Sequence, residues 1–103
     1  MQIQYNDSSG GTVKTTAAQT WTSGQWYHIA LSRSGSSWYM FRDGVSLLSW
    51  SDSTTLNTTN QPKYIMGHSN GGGDTVWLQD YRIYKGVGKY TGTFTPPPSM
   101  VIG

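Results

Sequence analysis

The side-chain carboxylates of this 103-residue chain are Asp7, Asp43, Asp52, Asp74 and Asp80, because it has no glutamate. Hydrolysis of a glycosidic bond generally uses two carboxyls about 5 to 9.5 Å apart. Asp43 belongs to the turn dipeptide Asp43-Gly44, and Asp7, Asp52 and Asp74 fall in polar loops without a shared motif. Glycosidase chemistry is therefore disfavoured. The chain has no cysteine, which removes disulfides, thiolate metal sites and cysteine nucleophiles. Neither histidine accompanies a G-x-S-x-G elbow. His28 reads as a hydrogen-bonded core residue of a strand and His68 as a solvated loop residue. The chain reads as a non-enzyme that needs no cofactor.

The binding chemistry on offer is aromatic. Five tryptophans, seven tyrosines and two phenylalanines occupy a chain that is only 12% charged. Such rings stabilise a small core when buried and stack on sugar faces when exposed. Trp26, Trp38 and Trp77 are expected in the core. Trp50 and Tyr84, near strand ends, are the candidates for sugar stacking, with Asn70 and Asp74 of the loop "HSNGGGD" fixing hydroxyls. That loop lacks the lysine and following helix of a phosphate loop and reads as a mobile turn. Asn70, Asp74 and nearby carbonyls also supply the oxygen ligands that Ca2+ accepts, a weaker alternative.

The formal charge of +2 is spread over Lys14, Arg33, Arg42, Lys63, Arg82, Lys85 and Lys89, with no stripe to track phosphates. Nucleic acid is not expected as a partner. No apolar run approaches the roughly 20 residues of a membrane span, and residues 1–15 are too polar for a signal peptide.

The elements that must carry these residues are strands. Alternating apolar positions and turn signals recur along the chain, and no window repeats at helical spacing. The pattern predicts strands over 2–5, 12–16, 25–34, 36–43, 45–50, 62–67 and 75–85. Asp43-Gly44 is a two-residue hairpin signal, since both residues tolerate positive φ. One domain is expected over residues 1–95, followed by an extended, Pro-rich tail over 96–103.

Three segments carry a resemblance: "GQWYHIALSRSG" (24–35), "WYMFRDGV" (38–45) and "YIMGHSNGGGDTVWLQDYRIYKGVGKYTGTFTPP" (64–97). In this order and spacing they resemble the laminin-G-like, concanavalin A-like jelly-roll family. The pattern K-G-V-x-[KR]-Y-T-x-x-F-T-P-P looks most like the variant found in tailed-phage virion and tail-fibre proteins. The resemblance implies an all-β, antiparallel β-sandwich, shortened because the family's first strands have no counterpart before residue 2. The family's calcium ligands are not matched, so it implies no metal.

It further implies that Trp26, His28, Trp38, Asp43, Gly44, Asp80, Arg82, Tyr90 and Phe94 form a structural seam, with Asp80 and Arg82 on the last core strand. Tyr90, Phe94 and Pro96 to Pro98 would form a tail packed across the sheet. The function implied is a non-catalytic adhesion module of a phage virion, a decoration, cement or tail-associated protein. It would dock on other virion proteins and be oligomeric or part of a larger assembly. The alternative is a lectin-like module that binds cell-surface glycans, in a virion or outside a cell.

Overall fold

The structure is a computed structural model that describes residues 1–7, 10–56 and 77–98. The expected strand at 62–67, the 68–74 turn, His68, Asn70, Asp74 and residues 99–103 lie outside the described residues. Two compact units are present, Met1–Asn57 with Tyr84–Pro97, and Thr58–Ile83 with Pro98–Gly103.

The first unit is antiparallel β throughout its regular elements. Strands β1 (Gln2–Asp7) and β2 (Gly10–Thr15) form a hairpin registered from Gln2 opposite Thr15 to Asp7 opposite Gly10. Strands β3 (Ile29–Ser34), β4 (Ser37–Arg42) and β5 (Val45–Ser51) form a meander in the order β3-β4-β5. Each connection is the two-residue type that right-twisted strands favour. Gly35 opens the first with φ 60°, and Asp43 and Gly44 make the second with φ 51° and 82°. Leu47 is extra between the pairs Met40/Leu48 and Phe41/Ser46, a bulge that keeps Leu48 beside Met40.

Strand β3 starts four residues later than the alternation at 25–34 predicts. The reason is a contact with the turn that follows β4. The His28 N–H donates to the Asp43 carboxylate (2.9 Å) instead of to a strand partner, while the Asp43 N–H donates to the His28 carbonyl (2.8 Å).

Period-two alternation gives the meander two faces. Arg33, Leu31 and Ile29 share one with Trp38, Met40, Leu48 and Trp50, and hairpin β1–β2 packs against the Trp38 end. Tyr5 of β1 stacks on Trp38 with centroids 4.7 Å apart and planes 6° apart, and Trp38 stacks on Trp50 at 5.5 Å. The Arg33 guanidinium lies 4.8 Å from the Trp38 ring.

The polar atoms of this cluster are paired. The Trp50 indole N–H donates to the Tyr5 hydroxyl (3.1 Å), which donates to the Asp52 carboxylate (2.7 Å). The Trp38 indole N–H donates to the Asp52 carbonyl (3.0 Å). The hydroxyl and backbone N–H of Thr54 also donate to Asp52.

These bonds favour the ionised carboxylate. The Thr54 side chain contributes most, followed by the Thr54 backbone N–H and Tyr5, and together they lower the Asp52 pKa to about 2. A depressed folded-state pKa contributes stability above the ordinary aspartate value that is lost as pH falls through the folded one. Hairpin docking should therefore loosen between about pH 4 and pH 2, followed as a change in tryptophan fluorescence. Asp52→Asn should remove most of that transition, and an unchanged acid profile would disconnect Asp52 from it.

The opposite face is closed by residues 88–97, which cross the sheet as a strap. Phe41, with 0% exposure, meets the rings of Phe94 (5.1 Å, edge-on) and Tyr90 (6.3 Å, edge-on). Tyr90 and Phe94 stack on each other at 3.6 Å, and His28 packs edge-on to both. The Tyr90 N–H donates to the buried Ser32 hydroxyl (3.2 Å), and the Phe94 N–H to the Gly44 carbonyl (3.0 Å).

Glycine is required where the strap touches the sheet. A Cβ on Gly44 would overlap the Phe94 carbonyl, and one on Gly88 would lie 2.5 Å from the Arg33 carbonyl. Gly44→Ala should cost about 1–2 kcal/mol for its backbone conformation alone and more through the displaced strap. Denaturant unfolding and tryptic cleavage at Lys89 both report it. Wild-type stability and cleavage rate would mean that the strap does not rest on this turn.

In the second unit, residues 77–83 form no regular strand, in contrast to the strand expected over 75–85. Asp80 has φ 55°, a left-handed conformation that interrupts extended backbone. Its carboxylate instead accepts two bonds from the Arg82 guanidinium, at 2.7 and 3.0 Å.

Candidate binding surface

Where the hairpin does not reach, the Trp38 face of the meander stays apolar. Ile29 and Leu31, side by side on β3, are each 47% exposed. Next to Ile29 in the register stands Arg42, and it organises the loop that precedes β3. The Arg42 guanidinium is 4.8 Å from the Trp21 ring and 4.7 Å from the Tyr27 ring, and it donates to the Thr20 carbonyl at 2.8 Å. Trp21 and Tyr27 meet edge-on at 4.9 Å. The Thr22 N–H donates to the Tyr27 hydroxyl at 2.7 Å, and hydrogen bonding by Thr22 holds that phenol below its ordinary pKa.

Each cation–ring contact at an exposed site contributes about 0.5–1 kcal/mol. The loop is thus anchored through Arg42 while offering ring surface outward: Trp21 is 47% exposed and Trp26 58%. Trp26, expected in the core, therefore belongs to the surface. The early end of β3 explains the difference, because residue 26 precedes the strand and has no alternation to turn it inward. Trp77 is exposed as well. Trp38 is buried.

The other face carries a second feature. Ser37, Trp38, Tyr39, Ser49, Trp50 and Ser51 line an open cleft of about 240 Å3. Its lining residues are three serines, Tyr39 and two tryptophans, without a formal charge.

Of the expected glycan-binding residues, Trp50 and Tyr84 lie among the described residues. Trp50 is half-buried in the Tyr5–Trp38 cluster and donates its indole N–H there. Tyr84 is exposed, with the Lys89 ammonium 4.4 Å from its ring centroid. Asp80 and Arg82, assigned to the last core strand, are exposed and bonded to each other.

Asp43 and Asp52 do not form a hydrolytic pair. Asp43 follows the last residue of β4, whereas the Asp52 N–H donates to the Ser36 carbonyl just before its first residue (2.8 Å). A six-residue strand, about 20 Å long, separates them, beyond the two-carboxyl spacing of glycosidases. Among the described residues no three His, Asp or Glu groups gather to hold a metal ion.

Loop residues Trp21 and Tyr27 and their partner Arg42 were not among the expected site residues. Their signal was two tryptophans flanking Gly24, which has φ 78° and reverses the chain between them. The cleft's signal was the serine alternation at 49 and 51 on β5, opposite Tyr39 and Ser37.

The antiparallel sheets, with stacked aromatics filling their faces, are those of an all-β, concanavalin A-like sandwich. A laminin G family model, described as the Concanavalin A-like lectin/glucanases superfamily, matches residues 1–88, and the chain belongs to this family. Searches of curated proteins and of solved structures each gave no match.

Proposed function

We propose that the chain is a non-catalytic adhesion module of a phage or phage-like particle, a decoration, cement or tail-associated protein that docks on other virion proteins. The observation that carries docking is the exposed apolar surface made by Trp21, Ile29 and Leu31 around the anchored Arg42. Contiguous aromatic and aliphatic surface of this kind marks protein–protein contact, with tryptophan and arginine as its usual anchors. The phage assignment rests on the resemblance of residues 85–97 to the tail-fibre variant of the family. The separation of Asp43 from Asp52 supports a module without hydrolytic activity, and the docking mechanism invokes no cofactor, nucleic acid or membrane.

A glycan-binding role is the second reading, and the cleft beside Tyr39 favours it, because a phenol ringed by serine hydroxyls suits a neutral polyhydroxyl ligand. Titration of a broad glycan panel, read by tryptophan and tyrosine fluorescence, separates the two. The docking reading predicts no saturable change. A saturable response that Tyr39→Ala removes would overturn it in favour of the lectin.

A further inference from the structure

We propose that the strap is an exchangeable arm: the seat formed by His28, Ser32, Phe41 and Gly44 takes residues 88–97 of a second copy of this chain as well as its own. The seat belongs to one chain segment, Met1–Asn57, and the strap to another, Tyr84–Pro97, with residues 58–83 between them. Seat and strap therefore meet as receptor and tethered ligand.

Their contact is suited to leaving and returning as a unit. Among the described residues the strap makes one backbone–backbone bond to the sheet, Phe94 N–H to Gly44 carbonyl, so no ladder is broken when it departs. The grip lies in the Tyr90–Phe94 pair against Phe41 and His28, in the Ser32 hydroxyl, and in the two glycines that admit the backbone. The strap's share of this grip, Gly88, Tyr90 and Phe94, is local to residues 88–97 and travels with them. Departure uncovers Phe41, the fully buried ring of this face, so an empty seat favours refilling.

Tethering raises the effective concentration of the chain's own strap, which favours self-closure in dilute solution. In an assembly where copies are crowded, a neighbour's strap competes, and exchange of an identical element is a low-cost route to linked copies.

The test uses two full-length variants, each labelled at one introduced cysteine, which is specific because the chain has none. Tyr90→Ala/Phe94→Ala with Ser46→Cys keeps a seat without a competent strap. Gly44→Ala with Thr95→Cys keeps a strap without a seat. Mixing should produce energy transfer between the labels, and excess synthetic peptide of residues 86–98 should abolish it. No transfer, or transfer that the peptide leaves unchanged, overturns arm exchange. Peptide-insensitive association would still be compatible with docking through the Trp21–Leu31 surface, so the two ideas fail separately. If either variant is unfolded by circular dichroism, single-cysteine chains with intact strap and seat are unfolded and refolded together. Peptide-sensitive transfer between them supports the exchange, and its absence overturns it.

Discussion

Phe41→Ala should destabilise the protein by about 3–5 kcal/mol, the cost of deleting a fully buried phenylalanine and leaving its cavity. That is a large part of the 5–15 kcal/mol typical of a domain. The ring is where both sides of the strap contact converge, since Tyr90 and Phe94 each meet it edge-on and Tyr39 lies beside it on the same face. The seat cannot collapse to fill the gap without drawing the strap inward, and Gly44 and Gly88 already hold the strap at minimum distance. Denaturant unfolding should show the loss, and trypsin should cut at Lys89 faster than in the wild type. A loss below about 1 kcal/mol would mean that the strap face does not bear on stability.

Trp38→Ala should cost a similar amount, about 3–5 kcal/mol, but through the other face. Trp38 stacks on both Tyr5 and Trp50, carries the Arg33 guanidinium at its ring, and fixes Asp52 through its indole N–H. Each aromatic pair adds about 0.5–1.5 kcal/mol beyond the buried area. Removing the ring disconnects hairpin β1–β2 from the meander, so amide exchange in residues 2–15 should rise more than in β4. Trp38→Phe keeps a stacking ring and loses one hydrogen bond, so it should cost less than the alanine variant. Equal losses for the two would place the energy in the hydrogen bond instead of the stack.

The meander was legible because its signals are local and agree. Asp43-Gly44 supplies a turn that only residues tolerant of positive φ can make, and the alternation around Trp38, Met40 and Phe41 places a ring on each face. Hairpin β1–β2 was legible as two strands, but the turn that Gly10-Gly11 suggests is misplaced, because both glycines lie in β2 opposite Asp7 and Asn6. The early end of β3 was not, because what stops it is a long-range bond from His28 to the Asp43 carboxylate. Trp26 follows from that: period-two reasoning turns it inward only if the strand includes it. The last strand failed at Asp80, where a left-handed residue sits inside an apolar run that otherwise alternates. The docking surface needed coordinates, since it depends on Arg42 reaching from β4 to rings of a loop some twenty residues earlier.

The central claim, that this module works by docking to neighbours through its exposed apolar surface, is tested most directly by the solution mass of the isolated wild-type chain. Light scattering over a concentration series should give a defined oligomer, or a mass that rises with concentration until a partner is added. A folded monomer at every concentration would contradict the claim and leave the glycan-binding reading as the better account.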